Sequence, residues 1–429
     1  MKLMLHSTEG SERGLKKSNL RMLCISPLFV PVSGSEAFCS AKMVKALMDY
    51  NIDMKVFSFG PNVRRKMPYD ESSLWKTFNT TVVNYISVPH IGLSYSVFAT
   101  IKYRTITWVR WVSAVMKYAM ECHKEKPFNI IYSRSLPMIA HIAGFWISKK
   151  LKLPWIANIN DPWDWHVSPF GTGKMSNIER VVSNYWFRKT FHTADLLTFP
   201  NKRLRDYHLR IVHSNKPSEI IPHIGYSTKD KDDDKSGFHL IHSGLIGSND
   251  AGRSPTGLLA GLKRFLFLHP EARPMTKLIL VGPKDQETES IIKNFGLDSH
   301  VMSTGIVSFE DSLKYINTAT VCVLLEGKMK EGIFLPQKLM DYIVSKKPVL
   351  ALSPPVGVIA DMLPCEWLLR ADPDDDIVVA NSIATFYEDF KKGSITDRVP
   401  PEDVICQFRA KFVAEKFLSS ISNISRVQF

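Results

Sequence analysis

Long apolar runs are missing from this chain. No stretch of about 18 apolar residues occurs, which argues against a helix that crosses a bilayer. The first 19 residues are polar and hold no apolar segment of signal-peptide length, so the expectation is a protein made and kept in the cytoplasm. Cysteine is sparse: Cys24, Cys39, Cys122, Cys322, Cys365 and Cys406 stand singly among 429 residues. Without a Cys-x-x-Cys pair, a zinc site or dithiol redox motif is not expected. Cys24 and Cys322 lie inside apolar runs and read as small core residues. Nucleic-acid signatures such as a zinc finger or a paired set of RNP aromatics are also missing. Acidic residues are the minority charge, 42 against 55 basic, for a formal net charge of +13. That excess favours an anionic partner, and phosphorylated ligands plus an anionic membrane surface fit better than nucleic acid.

What is present is an ordinary globular composition, 45% hydrophobic and 23% charged. The length suits two or three domains at about 150 residues each. Apolar strand-like runs alternate with helical spacing along most of it. Arg21-Met-Leu-Cys-Ile-Ser26 opens with a strand, a glycine loop through Gly34 follows, and helical periodicity covers 37–50 before a second strand at 54–58. Further strands are expected at 128–132, 155–159, 196–199 and 218–221, with helices over 137–150, 178–194 and 201–212. The alternation restarts at His239 with strands at 277–281, 300–303, 320–325 and 348–352, and helices over 255–268, 287–295, 309–319 and 336–344. Strand-helix alternation of this kind builds parallel sheets covered on both faces. The expected fold class is therefore α/β, with two facing doubly wound, Rossmann-like domains and ligands in the cleft beyond the strand ends. The expected divisions are a tail at 1–20, a first domain at 21–225, a linker at 226–237, a second domain at 238–395 and a closing helical segment at 396–429, its helix over 401–420 packing back on the first domain. Asp232, Asp233 and Asp234 fall in the charged linker, where a solvated charge run is a better reading than a metal site, because metal-binding acids need rigid positions.

The segment from Glu331 to Tyr342, followed by Lys347-Pro-Val-Leu-Ala-Leu, reads as a glycine loop, a helix start and a buried strand. An acid stands at each end of the loop and helix start. One can hold sugar hydroxyls, the other a ribose diol, and helix N-terminal amides between them can face phosphate. The plainer reading is an ordinary strand-loop-helix-strand unit.

Taken in order, these pieces resemble the GT-B glycosyltransferases, in particular the retaining glycosyltransferase family 4. The similarity runs from Arg21 to about Phe417. It rests on Ser26-Pro-Leu-Phe-Val-Pro-Val-Ser-Gly34, Asn160-Asp-Pro-Trp163, Ala194-Asp-Leu-Leu-Thr-Phe-Pro-Asn201, Ile220-Ile-Pro-His-Ile-Gly225, Ser243-Gly244, Arg253-Ser-Pro-Thr-Gly-Leu-Leu, Leu280-Val-Gly282, Gly305-Ile-Val-Ser308 and Glu331 to Asp341. The resemblance implies a nucleotide-sugar donor in the second domain, an acceptor in the first, and transfer with retention and no required metal or other cofactor. Positive groups then carry the diphosphate's charge. A glycan or lipid-linked glycan acceptor in surface polysaccharide assembly, with the enzyme peripheral on the inner face of the plasma membrane, follows from family habit and surface charge. Two other readings share the fold: a nucleotide-sugar 2-epimerase, and a non-catalytic nucleotide-sugar-binding subunit.

The resemblance also implies roles. Arg253 would clamp the diphosphate, with Lys338 as a second cation and Gly34 and Gly244 letting backbone approach. The alternatives are a solvated arginine, a surface lysine and plain turn glycines. Glu331 would bond sugar hydroxyls and Asp341 the ribose, with amides of Gly332, Ile333 and Phe334 on phosphate or sugar and Ile306 and Val307 meeting the base through main chain. The family's motif pairs two glutamates across seven residues, and here position 339 is Leu, so Asp341 is the nearest acid. Asn160 stands where many members carry histidine. It can hydrogen-bond but cannot take a proton, whereas Asp161 can orient the acceptor hydroxyl or act as its base; a turn cap is the alternative. Trp163, Trp165 and His166 offer an acceptor platform or core packing, and Arg134, after Tyr132-Ser133, is a further candidate for the same cleft. Basic residues among aromatics over 101–120 suggest a helix lying on an anionic leaflet, or one with its aromatic side in the core.

Overall fold

A computed structural model describes residues 20–60, 68–88, 97–163, 176–228, 237–247 and 252–424, with side chains of 97–107 excluded. Seven strands, β1 (Arg21–Ile25), β2 (Asp53–Phe59), β3 (Val83–Ile86), β4 (Ile130–Arg134), β5 (Trp155–Asn158), β6 (Leu196–Phe199) and β7 (Ser218–Ile220), form one sheet in the order β3-β2-β1-β4-β5-β6-β7. Every pairing in it is parallel. Helices α1 (Ser35–Asp49), α2 (Val97–Glu125), α3 (Ile139–Leu151), α4 (Asn177–Thr193) and α5 (Lys202–Val212) are its crossovers. The second sheet has six strands, β8 (Phe238–Ser243), β9 (Thr276–Val281), β10 (Val301–Ser303), β11 (Val321–Leu325), β12 (Val349–Leu352) and β13 (Leu368–Ala371), in the order β10-β9-β8-β11-β12-β13. It too is parallel throughout. Its helices are α6 (Thr256–Leu268), α7 (Gln286–Phe295), α8 (Phe309–Thr318), α9 (Gln337–Val344) and α10 (Asp376–Lys391), followed by α11 (Glu402–Cys406) and α12 (Ala410–Ser422).

The local causes are plain. Strands such as β6 and β11 are buried at every position, as expected when helices cover both faces. Both sheets reverse their winding direction, between β1 and β4 in the first and between β8 and β11 in the second. The crevice at such a reversal is where doubly wound sheets bind ligands.

Several contacts pin one lobe to the other. One apolar core runs from Met22, Ile130 and Tyr132 of the first sheet to Ile241, Cys322 and Leu339 of the second lobe. Asp70 accepts hydrogen bonds from the Trp75 indole and from the backbone amide of Phe309 at the start of α8. α12 returns to α1: Phe417 lies 4.9 Å from the Tyr132 ring, and Tyr50 donates to Glu415 at 2.7 Å.

Five elements differ from expectation. The final helix breaks into α11 and α12 at Gln407–Arg409. The helix expected over 101–120 spans Val97–Glu125, and its Trp111, Val112, Val115 and Ala119 face the domain core, with Trp111 edge-on to Phe59. Over 111–119 its apolar side is therefore taken up by the domain core. Strands β3 and β13 and helix α10 had no counterpart in the sequence reading. Most of the charged linker lies outside the described residues. Among those described, no helix is long and apolar enough to cross a membrane.

Candidate active site between the two sheets

The first-lobe wall is built at the ends of β1, β4 and β5. Gly34 caps α1 without a side-chain bond, and a Cβ there would meet nothing within 4 Å, so the helix N-terminus opens onto free space. Two residues on, the half-buried Glu36 turns back toward β5. Its Oε2 accepts from the Leu136 amide and from Asn160 Nδ2, both at 3.0 Å. Asn160 donates its other amide hydrogen to Ser135 O at 3.0 Å, which locks its orientation. Asp161 follows directly. Burial, then the charge of Asp161, pushes Glu36 above the usual carboxylate range. Burial raises Asp161 as well, and Arg253 across the cleft works against that rise. The charge of Asp161 thus favours the protonated form of Glu36. Arg134 sits buried beneath, donating from Nε to Ser40 Oγ at 3.0 Å and from a guanidinium nitrogen to the Tyr132 hydroxyl. A small recess opens among Cys39, Met43, Arg134, Asn160, Pro222 and His223.

The second-lobe wall is cationic. Directly after β8 comes Gly244, whose φ of +96° favours glycine, and a Cβ on neighbouring Gly282 would collide with the Gly244 carbonyl at 2.6 Å. Beside this floor, Lys338 Nζ lies 3.2 Å from His242 Nε2. His242 is buried and held neutral, with Nδ1 3.0 Å from Val323 O and Nε2 3.4 Å from Leu245 O; the tautomer that donates from Nδ1 leaves Nε2 to accept from the lysine. Burial, then the charge of Arg253, pulls Lys338 down to about 7. Arg253 is itself lowered by burial, and the charges of Glu326 and then Asp161, an acid of each lobe, work against that fall. Glu326, at the end of β11, is buried and pushed up to about 8. Among the described residues no three His, Cys, Asp or Glu side chains are grouped to hold a metal ion.

No protein-family model matches the sequence, and a search of curated proteins returns no match. Solved structures do resemble the fold. Sucrose-phosphate synthase from Thermosynechococcus elongatus aligns over 95% of this chain and 99% of its own at a TM-score of 0.65 and 15% identity. HepE of Anabaena in complex with UDP aligns over 94% and 100%, also at 0.65 and 15%. A Listeria monocytogenes protein described as a UDP-N-acetylglucosamine 2-epimerase covers 94% and 96% at 0.60 and 11%. The fold is GT-B.

Within this GT-B frame, Asn160, Asp161, Arg134, Arg253, Lys338, Gly34 and Gly244 lie at strand ends or helix starts on the two walls. Other candidates are placed differently. Glu331 pairs through Oε1 with Arg203 of α5 at 2.5 Å, and the same arginine holds Asp361 at 2.5 Å. Asp341 corrects the expectation of a ribose contact: the residue is buried, and its oxygens are engaged by Lys42 Nζ at 2.6 Å, the Tyr226 amide at 2.7 Å and Gln337 Nε2 at 3.0 Å. The Gly332 amide is likewise committed, donating to Val356 O at 2.8 Å rather than facing phosphate. Ile333 is buried in the first lobe's core with Phe334 packed beside it, and Ile333 O accepts from Asn201 Nδ2 at 2.9 Å. Trp163 is a core residue, not an acceptor platform. It is buried against Phe187 and Phe191, and its indole donates to Ser183 Oγ at 3.0 Å. Ile306 is exposed and Val307 packs on the shared core. His166 and Trp165 lie outside the described residues.

Sequence reasoning missed Glu36, Glu326, His242, Arg203 and Lys42. Glu36 had a readable sign, an acid in the first turn of the helix after β1. Glu326 had another, an acid directly after a wholly apolar strand. Nothing local marks Lys42, which occupies an apolar face of α1 and meets its partner 299 residues later.

Proposed function

We propose that the chain is a glycosyltransferase that moves a sugar from a nucleotide-sugar donor to a hydroxyl acceptor. The observation that carries this is the convergence of Arg253 and Lys338 at the second lobe's strand ends, facing the Glu36–Asp161 acid pair on the first. The two cations neutralise the departing diphosphate in place of a metal, and the uncapped start of α1 at Gly34 meets it from the other side. As the donor's bond to diphosphate breaks and the new glycosidic bond forms, Asp161 takes the acceptor hydroxyl's proton. Asn160 is fixed by its bonds to Glu36 and Ser135 and aligns that acid. Glu331 keeps one oxygen on Arg203 and offers the other to a sugar hydroxyl. Transfer with retention, and a glycan or lipid-linked glycan acceptor in surface polysaccharide assembly, complete the reading.

A thermal-shift screen against UDP, GDP and ADP tests it. A nucleotide at 100 times its dissociation constant should add about 2.7 kcal/mol of stability. Arg253→Ala should abolish that gain, and Glu331→Ala should abolish transfer while leaving the melting temperature nearly unchanged. Full stabilisation by nucleotide in the Arg253 variant would reject the cationic site. The likeness to an epimerase fold supports a second reading, nucleotide-sugar 2-epimerisation, which release of a 2-epimerised sugar from donor alone would establish. Donor binding without turnover on any acceptor would instead mark a binding subunit, the reading that Asn160 in place of a histidine favours.

A further inference from the structure

We propose that the outer face of α3 and α4 docks on an anionic lipid bilayer. The first half of α4 displays Ile178, Val181, Val182 and Tyr185, between 50% and 78% exposed, at the i, i+3, i+4, i+7 spacing of a single helix face. The opposite face carries Phe187, Thr190 and Phe191 into the core, so the exposed stripe is not the core side of a helix turned outward. The band continues onto α3. Tyr185 meets Trp186 at 5.3 Å, and Trp186 meets the exposed Trp146 at 6.4 Å.

The charges around the band choose the occupant. Around the band α3 and α4 carry Lys149, Lys150, Arg188 and Lys189, and the single acid of the two helices, Glu179, is spent capping its own helix with Ser176. Aliphatic and aromatic side chains rimmed by arginine and lysine are the composition of a helix that lies in a bilayer interface above anionic headgroups. A second copy docking through the same face would set basic residues against basic residues, which a two-fold interface cannot avoid. The patch is also well placed. Trp163, two residues beyond Asp161, hydrogen-bonds Ser183 on α4, so the face flanks the first-lobe side of the cleft. The surface stands whether or not the cleft transfers sugar, and its test reads binding alone.

The test is flotation of the full chain with vesicles of phosphatidylcholine, alone or doped with phosphatidylglycerol. The expected result is binding to the doped vesicles only, weakened by high salt. Val181→Asp/Tyr185→Asp should weaken it by roughly tenfold or more, since it places charge in the interfacial stripe. Lys149→Gln/Lys150→Gln/Arg188→Gln, which leaves the apolar stripe intact, should weaken it comparably, so a folding defect in one variant does not decide the matter. Val109→Asp, an exposed position on α2, should float like the parent. The proposal is overturned if the parent does not float, if both stripe and charge variants float unchanged, or if the stripe variant instead abolishes self-association or capture of an acidic protein.

Discussion

Glu326 shows how a single carboxyl registers its surroundings. It is buried at the end of β11, and desolvation pushes it up to about 8 even though Arg253 pulls the other way. A carboxyl raised in the folded state binds its proton more tightly there than in the unfolded chain. The stability it contributes is therefore fully present below the ordinary carboxylate range and is lost as pH rises through about 8. Glu326→Gln removes that dependence. Melts of parent and variant between pH 6 and 9 should show the variant gaining relative to the parent as pH rises. The gain should be no more than a few kcal/mol, since each tenfold difference in proton affinity is worth about 1.4 kcal/mol. A difference that stays flat across that range would mean that Glu326 is already ionised at neutral pH. Residues of this kind also define what a sequence can disclose. Asp161 and Arg253 stand out in the sequence because they follow recognisable strand ends, and Lys338 because it opens a helix after a glycine loop. Glu326 follows one too, but its depth and its arginine neighbour exist only once two distant loops meet.

At the level of elements, α1 and α9 are joined by one buried ion pair. Lys42 Nζ donates to Asp341 Oδ1 at 2.6 Å and to Ile224 O at 3.2 Å, with the Phe309 ring 4.5 Å away. Lys42→Met would strand the Asp341 carboxylate without its cation, and such a loss costs about 3–5 kcal/mol. The double variant Lys42→Met/Asp341→Asn removes the charge while keeping an acceptor for the Tyr226 amide, and it should recover most of that loss. Urea unfolding of the three proteins checks this. A single variant costing less than about 1 kcal/mol would show that water or another cation serves Asp341. The pair also explains why the loop's second acid was misread. Acid spacing in a sequence cannot distinguish a carboxylate facing a ribose from one facing a lysine of the other lobe. Strand-helix alternation, by contrast, was legible for most of the fold, because burial on both sheet faces leaves continuous apolar runs. The edge strands β3 and β13 escaped notice because each is four residues long and only partly buried.

Across the whole molecule, the lobes are not independent folding units joined by a tether. The main core crosses between the two sheets, and Ile333 of the second lobe is buried in the aromatic core of the first. α12 seals the arrangement with Val413, Ala414, Phe417 and Ile421 in the shared core. Separable lobes would each retain a complete core on melting and give two transitions. Here, opening either sheet exposes apolar surface of both, so calorimetry should show one unfolding transition. Phe417 is fully buried against Tyr132, and Phe417→Ala should cost about 3–5 kcal/mol through the cavity it leaves. The transition should move down in temperature and stay single, because the cavity lies in the core that both sheets use. A variant that instead split the melt, with the second lobe unfolding at its original temperature, would show that α12 stabilises the first lobe alone.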